Sequence, residues 1–122
     1  MGGSAVLSIP GTPPSYNTTA HAHWRKVRHE KQKWEGFLHI ALMEQRVPRK
    51  LNFVSASATL HFKQRRRRDA INHLVTLDKA LGDVLQAAGY LEDDTPEFYR
   101  FGTLDFVAPS PEPLTLVHLD YR

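Results

Sequence analysis

Two periods organise the apolar positions of the chain. Val54, Ala56, Ala58, Leu60 and Phe62 alternate with Ser55, Ser57, Thr59 and His61, and a period of two predicts a half-buried strand over 53–63. Leu74, Leu77, Leu81, Val84, Leu85 and Ala88 recur at about 100° per residue, which places them on one face of a helix. Asn72, Thr76, Lys79 and Asp83 fall on its opposite face, and Gly89 suits the left-handed position just past its end. Upstream, Trp34, Phe37, Leu38, Ala41 and Leu42 form a second helical stripe. Pro48 closes that helix, and Arg46 suits its negative C-terminal end. Ala5 to Ile9 alternates as a first strand, ended by Pro10, Gly11, Pro13 and Pro14. Residues 98–107 and 114–121 read as two closing strands around a loop holding Pro109, Pro111 and Pro113. The order β-α-β-α-β-β predicts an α+β fold, a small mixed sheet of about four strands with two helices packed on it.

The composition narrows the class. A chain of 122 residues, 41% hydrophobic and 24% charged, suits one globular domain over 1–122. The absence of cysteine excludes a disulfide framework, a thiolate zinc site and a cysteine nucleophile. No apolar run approaches the ~20 residues of a membrane span, and the glycine-rich start is not followed by a basic-then-apolar leader. The expectation is a cytoplasmic protein without a membrane partner.

Charge changes the picture most. The net charge is only +3, but residues 21–68 carry 13 Lys or Arg against Glu30, Glu35 and Glu44. Residues 69–122 carry Lys79, Arg100 and Arg122 against 10 acids. Such segregation suits a polyanion partner for the basic part, or mutual neutralisation across the fold. Arg65, Arg66, Arg67 and Arg68 stand together at a strand end. Their mutual repulsion is tolerable in water or against an anion, and guanidinium forks match phosphate oxygens. Sequence-independent contact with a nucleic-acid backbone is the functional reading, and a solvated turn is the plain one. Arg25, Lys26 and Arg28, interleaved with Tyr16, His23 and Trp24, extend that reading. His21 and His23 alternate as metal-binding pairs do, but lack a third ligand nearby.

Asp69 precedes the second helix, Asp83 lies on its polar face, and Asp93 and Asp94 follow its end. Carboxylates brought together repel, and a divalent cation removes that repulsion; hard oxygen donors suit magnesium or manganese. Lys79, one turn from Asp83, adds a positive charge beside any bound phosphate. The alternative is a set of exposed aspartates with an ordinary Lys79–Asp83 helix pair.

Pro13-Pro14-Ser15-Tyr16-Asn17, Arg66-Arg67-Arg68-Asp69 with Asn72, Lys79-Ala80-Leu81-Gly82-Asp83-Val84-Leu85 and Ala88-Gly89-Tyr90-Leu91-Glu92-Asp93-Asp94 follow one another along the chain. In order, spacing and total length this series resembles the RusA-type Holliday-junction resolvases, common in phages. The resemblance implies a single RusA-like nuclease domain, a homodimer in a bacterial or phage-infected cell, and symmetric, magnesium-dependent cutting of four-way DNA junctions. It further implies catalytic roles for Asp69, Lys79 and Asp94, metal ligands at Asp69, Asp83 and Asp94, and DNA contacts from the arginine tract, Asn72, Asn17, Arg25, Lys26 and Arg28. One position departs: Ile71 stands where the family often has a second aspartate, and isoleucine cannot bind magnesium. The segment between Asn72 and Lys79 is also longer by about one helical turn. Either Asp83 completes the metal site, or the site is weakened, or the protein binds junctions without cutting them efficiently. A protein-interaction domain using complementary charge is the remaining alternative.

Overall fold

The computed structural model describes residues 2–15 and 24–122. Six elements follow in the expected order: β1 (Gly3–Pro10), α1 (Trp24–Glu44), β2 (Val54–His61), α2 (Ala70–Ala87), β3 (Tyr99–Val107) and β4 (Leu114–Tyr121). The strands form one mixed sheet in the order β1-β4-β2-β3, giving the α+β class. β4 is antiparallel to β1 and to β2, whereas β3 is parallel to β2. β1, β2 and β3 therefore point the same way, and each helix is the crossover between two of them. Both crossovers step in the same direction across the sheet, so their shared right-handedness puts both helices on one face. The two helix N-termini consequently lie toward one end of the sheet, where β1 and β2 end.

The period-two reading of β2 is met residue by residue. Val54, Ala56, Ala58 and Leu60 are buried, and Ser55, Ser57, Thr59 and His61 are half-exposed. The core sits between the helices and the inner sheet face, where Trp34, Leu38 and Leu42 of α1 meet Leu77, Leu81 and Leu85 of α2 and Leu7, Val54 and Val117 of the sheet. α2 is buried over a wider arc than its leucine stripe, because it packs on both α1 and β3. Thr76, expected on the polar face, is buried for that reason, as is His73.

Both helices end on the same device. Gly89 has φ 80°, and the amides of Gly89 and Tyr90 donate to the carbonyls of Gln86 (3.2 Å) and Leu85 (2.8 Å). This is a Schellman motif, as the glycine predicts. α1 ends at Glu44, four residues before Pro48, through the same bonds: Arg46 to Met43 (3.0 Å) and Val47 to Leu42 (3.1 Å). Arg46 lies past the last turn with φ 53°, rather than within it as expected. The accompanying burial of Val47 in the core, beside Leu42, draws the chain back at this point. Among the described residues, no helix is long and apolar enough to cross a membrane.

Candidate functional site

Two depressions flank α2, one toward each end. The first, about 750 Å³, is lined by Ser15, Phe62, Arg66, Arg67, Arg68, Asp69, Ala70, Asn72 and His73. Asp69 is the N-cap of α2: its backbone is extended (φ −102°, ψ 118°), and its Oδ1 accepts from the Ile71 amide at 3.1 Å. A carboxylate there satisfies an orphan donor and sits on the positive end of the helix dipole. His73 is buried, with Nδ1 3.0 Å from the Pro13 carbonyl oxygen, which ties the proline segment to α2. Its ring packs with Phe62 and Phe106, at centroid separations of 5.4 and 5.6 Å.

The four arginines are not equivalent. Arg65, Arg66 and Arg67 are exposed. Arg68 instead lies 3.8 Å over the Phe62 ring, and its Nη1 donates to the carbonyls of Gln64 (3.0 Å) and Arg66 (3.3 Å). It shapes its own loop, which leaves Arg65, Arg66 and Arg67 as the exposed arginines of the tract. Asn72 is half-buried at the rim, and Arg25, Lys26 and Arg28 are exposed in the first turns of α1, toward the same end of the sheet. Asn17, with Tyr16, His21 and His23, lies outside the described residues.

The second depression, about 310 Å³, is lined by Lys31, Asp78, Lys79, Gly82, Asp83, Asp94 and Tyr99. Asp83 is ion-paired with Lys31 across the two helices, and Lys31 also lies 3.5 Å from Glu35. The bond to Asp83 raises the Lys31 pKa against the lowering effect of burial. The Tyr99 hydroxyl donates to Asp78 Oδ1 at 2.9 Å, with the Asp78 carbonyl 3.2 Å away. Burial, reinforced by the negative charge of Asp78 and Asp94, pushes the Tyr99 hydroxyl far above the usual tyrosine range.

Lys79, Asp83 and Asp94 are thus brought together, as their order along the chain predicts. Asp69 is not. Fourteen residues of α2 separate it from Asp83, about 21 Å at 1.5 Å per residue. The expected ligand set of Asp69, Asp83 and Asp94 does not surround one ion within a single chain. Among the described residues, no group of three or more acids or histidines is placed to hold a metal. Asp83 is engaged by an ammonium and Asp78 by a hydroxyl, so these side chains as they stand do not fit a divalent cation.

Asp78, Tyr99 and Lys31 are members of the depression that sequence reasoning missed. The signal for one of them, Tyr99, is Gly82. A Cβ there would meet Tyr99 Cε2 at 3.2 Å and Cδ2 at 3.4 Å, and Asp94 Cβ at 3.5 Å. Glycine within a helix costs about 0.5–1 kcal/mol relative to alanine, and here it admits the ring. Gly82→Ala should therefore destabilise the protein, by about 1 kcal/mol, despite its better helix propensity. In a Tyr99→Phe background, where the ring is no longer anchored through its hydroxyl, the loss should shrink. Denaturant unfolding of the two single variants and the double variant measures this coupling; an equal loss in both backgrounds would contradict it.

No known protein-family model matches the chain, and no curated protein sequence matches it. The resemblance to RusA-type resolvases rests on the motifs themselves and their order.

Proposed function

We propose that the protein is a structure-selective endonuclease of RusA type. It would act as a homodimer on branched DNA, four-way junctions above all, in the cytoplasm of a bacterial or phage-infected cell. One observation carries this reading: a cluster of cations at the N-terminal end of α2 and a lysine–carboxylate depression further along the same helix. The stretch of helix from Asp69 to Asp83 spans about 21 Å, roughly six base-pair rises of a duplex, so a single duplex arm laid along α2 can meet both. Arg65, Arg66 and Arg67 would grip phosphates, helped by the positive ends of two helix dipoles. Lys79 would place an ammonium beside the scissile phosphate, stabilising charge that develops there. Asp94 would hold a proton or orient water at the same phosphate. A two-fold dimer presents two such depressions, matching two cuts in a two-fold junction. The resemblance implies magnesium or manganese dependence, although among the described residues no group of three acids or histidines is placed to hold the ion.

A second reading, a junction-binding module that does not cut, is favoured by the capping role of Asp69 and the Lys31–Asp83 pair. A labelled four-way junction, incubated with purified protein and magnesium at low ionic strength, separates the two. Retardation with nicking supports the endonuclease, and retardation without nicking supports the module. No retardation at low salt contradicts both.

A further inference from the structure

Of all the groups in the second depression, the hydroxyl of Tyr99 has the most determined surroundings. Tyr99 opens β3, directly after the segment 92–98 that carries Asp93 and Asp94. The amides of Phe98 and Tyr99 both donate to the Thr95 carbonyl, at 2.8 and 2.9 Å, so the turn and the tyrosine move as one piece. The Phe98 carbonyl accepts from Val54 at 2.9 Å, which fixes that piece to β2. On the other side the Tyr99 ring lies on Gly82, and its hydroxyl reaches Asp78 one turn earlier on α2. Asp78, Asp94 and Tyr99 line the second depression and also a third, adjoining one that reaches Pro96, Arg100 and Phe101. The only link between the Asp94 turn and the polar side of α2 that uses a charged acceptor is therefore the Tyr99–Asp78 bond, among the bonds of the described residues.

We propose that Tyr99 and Asp78 are positioning residues: their hydrogen bond holds Asp94 over Gly82, in the depression that Lys79 and Asp83 also line. This rests on the endonuclease reading for its functional consequence, though not for its geometry. The bond is built to persist. A tyrosine kept from ionising by burial and by neighbouring carboxylates remains a donor throughout the physiological range. A charged acceptor makes the bond stronger than a neutral pair would. Asp78 acts here as an acceptor rather than as a reacting group, and that distinction is measurable, because asparagine retains an acceptor oxygen but no charge.

The experiment compares Tyr99→Phe, Asp78→Asn and Asp78→Ala with the wild-type protein. Single-turnover cleavage and binding of a four-way junction are measured separately. Tyr99→Phe and Asp78→Ala should each cut about tenfold more slowly, with the junction Kd unchanged within about twofold. Asp78→Asn should restore most of the rate. A rate of wild-type size in Tyr99→Phe, or an Asp78→Asn protein as slow as Asp78→Ala, would overturn the proposal. A second readout needs no activity: the nuclear Overhauser contact between the Gly82 α-protons and the Asp94 β-protons should be present in the wild type and in Asp78→Asn, and weakened in Tyr99→Phe. If the wild-type protein binds junctions without cutting them, the endonuclease reading fails, and this contact alone decides the positioning role. Its persistence at full strength in Tyr99→Phe contradicts it.

Discussion

Alanine at Arg65, Arg66 and Arg67 together should weaken DNA binding about 500-fold at ~0.1 M salt. The size follows from counterion release: each phosphate contact contributes about 0.9 to the slope of log K against log salt, so three lost contacts remove about 2.7. Two lines that differ by that slope and converge near 1 M stand apart by the stated factor at ~0.1 M. Duplex and junction DNA should be affected alike, since these contacts carry no sequence information. Arg68→Ala provides the contrast. Its guanidinium is spent on Phe62 and on two carbonyls of its own loop, so the variant should lose stability, by about 1 kcal/mol, and little of the salt slope. A salt series followed by fluorescence anisotropy reads both. Parallel lines for the triple variant and the wild type would remove the arginine tract from the interface.

The second large effect is alkaline unfolding driven by Tyr99. In the unfolded chain this residue ionises at the model value of 10.0, whereas in the fold its pKa is raised by burial and by Asp78 and Asp94. Above that pH the unfolded state binds fewer protons than the native state, so stability falls as pH rises. The contribution is fully present below pH 10 and declines above it, by roughly 1 kcal/mol per pH unit. Lys31, raised from 10.5, acts in the same direction above its own range. Its ion pair is partly exposed, which screens its contribution to a fraction of that of Tyr99. Tyr99→Phe should abolish the larger part of the alkaline slope, while Lys31→Met should leave most of it. Absorbance near 295 nm, set beside Tyr99→Phe, gives an independent check: the tyrosine that this variant lacks should ionise only as the protein unfolds. Its ionisation with native circular dichroism intact would contradict the burial and bonding described for Tyr99.

The elements of this fold were legible because each carries its own period. β2 alternates cleanly, and the leucines of α2 return every three or four residues up to a glycine in the left-handed region. The sheet order was not legible, since pairing β4 between β1 and β2 depends on contacts 53 to 118 residues apart along the chain. The extension of α1 to Trp24 escaped the pattern because its first turns carry exposed cations, Arg25, Lys26 and Arg28, rather than an apolar stripe. At the site, Lys79, Asp83 and Asp94 could be grouped from order alone, because one turn of helix and one short loop join them. Asp69 was grouped with them wrongly for a single-chain centre: the length of α2 keeps its two ends apart, and no periodicity argument shortens a helix. Asp78 and Tyr99 were missed because their pairing is tertiary. Gly82, in the middle of an otherwise good helix, was the one local sign that another side chain approaches there.

Cleavage of a four-way junction by Asp94→Asn, set beside the wild type and Asp69→Asn at matched binding saturation, tests the central claim most directly. Asparagine is as good a cap as aspartate at position 69, so that control separates chemistry from folding. Two symmetric nicks by the wild-type protein are expected, and cutting at least about 100-fold slower by Asp94→Asn with its junction affinity retained. Nicking by Asp94→Asn at the wild-type rate would contradict that claim.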